Sequence, residues 1–446
     1  TTIILHPMRY LRKEETKMPK IAIIGAGSAV FARRLITDFL TLPSLQGSQI
    51  ALMDVNPETL KTITAWTEHA IAQAGLPATV QATTDRREAL QGADYVIISI
   101  RVGGVEAVFE DFRITSKYGI DHSVGDTMGP GGVFYFLRNG SEIVRIAQDM
   151  EELCPNALML NYTNPMVMIC WAVDELTAIR SIGLCHSVQG TAFQLADYMG
   201  IPRDELRYWT AGINHMAWYL KLEWQGEDVY PRLYQAMADP EIYGRDRIRF
   251  EIMKHFGAFV TESSTHMSEY VPYFRRRPEL IEQYQLRSAL NRNWSEWLNR
   301  RDERYEKMVQ EIKEGAPITL DRSHEYCSAI LDAIETNTPF RFNGNVRNHG
   351  VITNLPSNAV VEVPILTDGT GLHPCYVGDL PPALAALNRT NLNVQEVIVE
   401  ALKQQDRELV YRAVQLDPLT AAVCTLDETR QMVDELFAAH AQWLPF

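Results

Sequence analysis

From Lys20 onward, short apolar runs alternate with segments of helical spacing. Ile21-Ala22-Ile23-Ile24 reads as a strand, Ala29 to Leu40 as a helix, Gln49 to Asp54 as a second strand, and Pro57 to Ala74 as a helix with proline in its first turn. Thr79 to Ala82, a short helix Arg86 to Gln91, and Tyr95 to Ile100 continue the rhythm. Two further β-like runs, Leu158 to Leu160 and Ser181 to Leu184, flank helical stretches at Val133 to Glu152 and Met166 to Leu176. This βαβ alternation predicts a mostly parallel, doubly wound sheet covered on both faces.

Beyond about residue 190 the rhythm changes. Helical stretches are expected at Ala192 to Met199, Pro231 to Met237, Tyr284 to Glu314 and Arg322 to Thr336, followed by a β-rich block from Phe340 to Pro364. Val394 to Leu416 and Leu426 to Gln442 close the chain as helices. The expected architecture is therefore α/β: a Rossmann-like domain over residues 18–190, then an α+β domain over residues 191–446 for substrate and oligomer contacts. Residues 1–17 are mixed and charged, and are read as a disordered leader outside the fold.

Composition narrows the class. With 446 residues, 46 % of them hydrophobic and 22 % charged, and with glycine and proline spread along the chain, collagen-like, coiled-coil and disordered readings fit poorly. Acidic residues outnumber basic ones 56 to 42, a formal charge of -14 that disfavours nucleic acid and anionic lipid as partners. The six cysteines contain no CxxC, so free thiols in a reducing cytoplasm are expected. No apolar stretch is long enough to span a membrane as a helix.

Candidate chemistry begins at Gly25-Ala26-Gly27-Ser28, directly after the first strand, where backbone amides and a helix N-terminus can hold a pyrophosphate. Val30 occupies the third glycine position of GxGxxG, so the first helix must pack on the sheet differently. Asp54 ends the second strand, where a carboxylate accepts from ribose hydroxyls and repels a 2′-phosphate, favouring NAD over NADP. Three more segments fall at expected strand ends: Asn161-Tyr162-Thr163-Asn164-Pro165, Cys185-His186-Ser187-Val188-Gln189-Gly190-Thr191, and Gly212-Ile213-Asn214-His215-Met216-Ala217-Trp218. Cys185 and His215 together offer a thiolate and an imidazole, a set suited to a borderline transition metal. Taken singly, a cysteine is more often packing and a histidine more often a hydrogen-bonded core residue.

In combination these segments, with Asp126-Thr127-Met128-Gly129-Pro130-Gly131-Gly132, resemble glycoside hydrolase family 4, and within it the α-galactosidase branch. The resemblance runs from about Lys20 to the end of the chain. It implies a lactate-dehydrogenase-like fold, NAD and manganese as cofactors, and hydrolysis of melibiose- or raffinose-type α-galactosides by oxidation at sugar C3, deprotonation at C2, elimination and water addition. Cys185 and His215 would be the metal ligands, Asn164 and Asn161 would hold sugar hydroxyls, and Arg101 would lie at the substrate mouth. His186 occupies a position that is Asp in some members and is one candidate acid. Asp126 is another, with a helix cap before Pro130 as its alternative role. The C2 base falls within residues 261–270, where Ser264 aligns best but is too weak. Tyr270 is taken as the candidate, with Glu262, His266 or a metal-activated water as alternatives. The resemblance also implies a homodimer or homotetramer. An α-glucosidase or α-uronidase of the same family, and a 2-hydroxy acid dehydrogenase that would leave Cys185 without a role, are the competing activities.

Overall fold

A computed structural model describes residues 18–28, 30–288 and 294–446. The expected leader 1–17 and the Ala29 start of the first helix lie outside the described residues. The strands are β1 Lys20–Ile24, β2 Gln49–Met53, β3 Thr79–Thr83, β4 Tyr95–Ile98, β5 Leu158–Asn161, β6 Ser181–Gly183, β7 Arg207–Ile213, β8 Met216–Trp224, β9 Glu227–Asp228, β10 Phe340–Arg347, β11 Val360–Asp368 and β12 Gly371–Pro374. They form one sheet in the order β3-β2-β1-β4-β5-β6-β10-β11-β7-β8-β9, with β12 beside β11.

The first six strands are parallel, in the doubly wound order 3-2-1-4-5-6. β1, β4 and β5 are buried along their whole length because helices cover both faces, which is why they read as unbroken apolar runs. The strand order reverses between β1 and β4, and this opens the crevice where such sheets bind ligands. The fold is thus a Rossmann-like doubly wound sheet joined to a C-terminal α+β part.

The sheet does not stop near residue 190. β10 pairs antiparallel with β6 through Asn345 and Gly183, and β11 continues to β7 through Glu362 and Gly212. One apolar core runs through both halves, and a smaller one gathers Tyr219, Phe250 and Phe259 under the helices of residues 192–259.

Several element boundaries differ from expectation for local reasons. The single helix expected at Val394 to Leu416 is two, Pro382–Gln404 and Arg407–Leu416. Gln405 takes a left-handed conformation (φ 55°), and the Asp406 side chain accepts from the Glu408 amide to start the second. The stretch Tyr284 to Glu314 contains a helix only from Trp294 to Lys313, and residues 289–293 within it lie outside the described residues. The β7–β8 hairpin does not stand out in the sequence, because its strands lack a clean alternation of apolar and polar positions.

Candidate active site

The Gly25 turn is fixed by its neighbours. Gly25 has φ 89°, and a Cβ there would sit 2.1 Å from the Ser99 carbonyl oxygen, so only glycine fits between β1 and β4. Gly27 donates its amide to Asp54 Oδ2 at 2.7 Å, and a Cβ on it would collide with that carboxylate. Asp54 Oδ1 accepts from the Asn56 amide at 2.9 Å. The acidic residue therefore braces the glycine turn while standing at the end of β2, with lone pairs left for further donors. Ser28 Oγ accepts from the Phe31 amide at 3.2 Å, just ahead of the first helix, Phe31–Thr41.

A cavity of about 1140 Å³ opens along this edge of the sheet. Gly25, Ser28, Asp54 and Arg86 line one part of it, and Arg101, Asp126, Tyr135 and Asn164 line another. Arg101 Nε donates to Tyr135 Oη at 3.3 Å. Asn164 Nδ2 donates to Asp126 Oδ2 at 3.3 Å, while Asp126 Oδ1 is buried without a hydrogen-bond partner. Burial raises the Asp126 carboxyl above the usual carboxylate range. Asp126 does not cap a helix, because the helix Gly129–Leu153 is preceded by Met128, with no side-chain cap.

Asn161 has a different role from the one expected. Its Nδ2 donates to the Thr163 carbonyl at 2.9 Å and its Oδ1 accepts from the Thr163 amide at 3.1 Å, at 1 % exposure. Both ends of the amide bond within the loop that presents Asn164.

Cys185 follows β6, and His215 is the second residue of the two-residue turn between β7 and β8. His215 sits at φ 63°, a conformation uncommon outside glycine, and its Nε2 lies 3.5 Å from Cys185 Sγ. Two donors sharing one metal ion stand roughly 3 to 4 Å apart, so this separation is compatible with a shared ion. Burial, and to a lesser degree His266, pushes the His215 ring down to about 3, so it is a neutral, ligand-ready imidazole. Burial raises the Cys185 thiol to about 12, a cost that a bound cation would relieve. The pair thus fits a metal, although no group of three or more His, Cys, Asp and Glu assembles among the described residues, leaving further ligands to substrate and water.

Residues 261–270 lie against this pair. Thr261 donates its amide to the Ala217 carbonyl at 2.9 Å, which docks the segment on β8. The His266 and His215 rings meet edge to face with centroids 4.5 Å apart, and His266 Nδ1 is ion-paired with Glu262. Burial disfavours the charged imidazolium, yet the Glu262 carboxylate holds it at about 9. Glu262 stays well below the usual carboxylate range because the attraction of His266 outweighs its burial. Tyr270 is 2 % exposed, with its ring 6.4 Å from that of His215. Burial pushes its phenol well above the ordinary value, and the charges of Asp126, Glu262 and Cys185 push it the same way. Ser264 bonds to Asp246 and to the Arg249 amide, and Ser263 caps the helix Ser264–Tyr270. His186 is exposed, with its Nδ1 3.9 Å from Glu325.

Two acidic residues of this region escaped sequence reasoning. Glu269 accepts from the amides of Ser123, Val124 and Gly125 and so holds the turn that ends in Asp126. Nothing in the sequence signals it. Glu362, fully buried on β11 opposite Asn345, was legible as the lone charge in Val360-Val361-Glu362-Val363.

Residues 20–201 match the Family 4 glycosyl hydrolase, and residues 210–420 match the Family 4 glycosyl hydrolase C-terminal domain. An alpha-galactosidase of Bacillus subtilis is 43 % identical over 432 residues, covering 96 % of this chain and 99 % of its own. An alpha-galactosidase of Rhizobium meliloti is 40 % identical, over 96 % and 89 %. Among solved structures, the lplD protein of Bacillus subtilis superposes with a TM-score of 0.84 at 26 % identity, covering 94 % of this chain and 99 % of its own. A 6-phospho-alpha-glucosidase from gut microorganisms, solved with NAD and Mn2+, superposes at 0.83 and 20 % identity over 96 % and 99 %.

Proposed function

The chain belongs to glycoside hydrolase family 4, and from that premise we propose that it is an α-galactosidase acting on melibiose- and raffinose-like sugars, with NAD and manganese as its cofactors. The observation that carries the mechanism is the convergence of Cys185 and His215, 3.5 Å apart, just past β6 and β7 of the sheet whose β1 leads into the Gly25 turn.

When bound, NAD supplies a reversible hydride acceptor for the sugar C3 hydroxyl, which makes the neighbouring C2 proton acidic. Cys185 and His215 would hold manganese, which would supply Lewis acidity at the sugar. The chain does the rest. Gly25 and Gly27 let the backbone approach a pyrophosphate, and Asp54 takes the ribose hydroxyls. Asn164 and Arg101 orient the galactosyl hydroxyls from the cavity wall. Tyr270 takes the C2 proton as phenolate, a form that burial and the charges of Asp126, Glu262 and Cys185 disfavour and that a cation held by Cys185 and His215 would favour. Asp126, whose carboxyl burial shifts towards the protonated form, donates to the departing glycosidic oxygen, and Asn164 fixes its other oxygen. His186, exposed, is the alternative donor. The leaving group departs from an anion at C2, so the chemistry needs no second carboxylate across the sugar.

The enzyme works in the reducing cytoplasm as a homodimer or homotetramer, and the compartment matters because an oxidised Cys185 could not act as a ligand. A panel of aryl α- and β-glycosides, assayed with and without NAD, manganese and a thiol reductant, tests the assignment. Cleavage of the α-galactoside only when all three are present is expected. Preference for an α-glucoside or a uronide would overturn the specificity, and steady accumulation of NADH would point to a dehydrogenase.

A further inference from the structure

A buried charged cluster at the C-terminal end of the chain plays no part in that mechanism. Arg138 donates twice to Asp111, at 3.0 and 2.6 Å, and His440 Nε2 lies 2.8 Å from the same carboxylate. All three residues are almost fully buried. The cluster ties the end of the helix Leu426–His440 to the helices Gly104–Lys117 and Gly129–Leu153. Just past it, Trp443 donates its amide to the His440 carbonyl at 2.8 Å, and its indole packs 6.0 Å from the His440 ring.

That placement brings Trp443 into the wall of the large cavity. Its ring lies against the left-handed Gly103 (φ 80°), where an added Cβ would come within 3.2 Å of the indole. Gly103 stands two residues after Arg101, which is bonded to Tyr135, and Arg138 is one helical turn beyond Tyr135. Trp443 therefore belongs to the Arg101–Tyr135 end of the cavity. A partly exposed indole, clamped on one side by a glycine turn and a buried ion cluster, presents a rigid flat apolar face. Such faces suit the C–H faces of pyranose rings.

We propose that Trp443 is the platform for the leaving-group sugar, stacking on the pyranose bonded to galactose C1, with Arg138, Asp111 and His440 as its positioning residues. This rests on the α-galactosidase reading and deepens it: such a platform would favour a disaccharide over a simple glycoside, from a segment far along the chain from the catalytic motifs.

The test compares kcat/KM for melibiose with kcat/KM for methyl α-galactoside, whose leaving group carries no ring, using full-length enzyme with NAD and manganese. In W443A the ratio of the two constants should fall about ten-fold, through KM for melibiose, whereas W443F should keep most of it. NAD affinity, measured by calorimetry, should stay within about two-fold of wild type in both variants. An unchanged ratio in W443A, or a loss of NAD affinity that tracks the loss of activity, would overturn the proposal. Wild-type enzyme inactive on both substrates would overturn the α-galactosidase reading, and this one with it.

Discussion

Cys185 Sγ and His215 Nε2 meet at 3.5 Å although the two residues are 30 positions apart and come from different connections of one sheet. The parallel half delivers the cysteine after β6, and the antiparallel half delivers the histidine at a hairpin tip. The pair proposed to hold the metal therefore meets because β10 and β11 join the halves side by side.

Replacing either donor should remove the metal and spare the fold. Cys185→Ser and His215→Ala are each expected to weaken manganese binding, read by electron paramagnetic resonance of the free ion, beyond the roughly 10- to 100-fold that outer-shell partners cost. Circular dichroism and NAD affinity should be retained. A variant that binds manganese normally would remove that residue from the ligand set.

The glycine turn makes a separable prediction. A Cβ on Gly27 would lie 2.5 Å from Asp54 Oδ2 and 2.6 Å from Thr59 Oγ1, so Gly27→Ala must move the brace. Calorimetry should show NAD binding weakened about ten-fold or more in this variant. Asp54→Ala should lose NAD affinity too, but with its preference over NADP narrowed, since the carboxylate that repels a 2′-phosphate is gone.

Tyr270 is tested by removing one oxygen. Tyr270→Phe should lower kcat by about 10²- to 10³-fold with manganese and NAD affinities intact. Exchange of the C2 hydrogen with solvent, followed by NMR, should slow in parallel. Undiminished exchange would assign the base to another residue.

Glu362 links the site to stability. Burial raises its carboxyl to about 8, and the facing amides of Asn214 and Asn345 offset this only in part, without closing a hydrogen bond of full geometry. Between the ordinary carboxylate range and about pH 8 the folded state keeps this proton while the unfolded chain has lost it, so wild-type stability falls as pH rises through that window. Glu362→Gln carries no such proton. In chelator-treated protein, the Tm of the variant relative to wild type should rise from pH 5 to pH 8 and then level off. A flat difference would mean that the carboxyl is ionised in the fold.

The nucleotide half is legible in sequence because β1, β4 and β5 are buried on both faces and their apolar runs need no context. Gly25, Gly27 and Asp54 follow from strand-turn-helix spacing for the same reason. The substrate side is different. Cys185 and His215 carry meaning only as a pair, and their meeting depends on strand pairings well over a hundred positions along the chain and on a left-handed histidine. Asn161 shares a motif with Asn164 yet points inward, a distinction made by the Thr163 hydrogen bonds and invisible in the letters. Ser264 aligns where a base belongs, but it is held by Asp246 and Arg249, while Tyr270 at the other end of the same short helix faces His215. Trp443 has no local signal at all, since its place in the cavity is set by a buried ion cluster on three helices.

Hydrolysis of melibiose in D2O by the enzyme loaded with NAD and manganese is the most direct measurement. Deprotonation at C2 and return of the hydride to C3 predict galactose with deuterium at C2 and protium at C3, and no accumulation of NADH. Galactose released with protium at C2, at a rate unaffected by chelator, would contradict the elimination route and return the enzyme to direct displacement at the anomeric carbon.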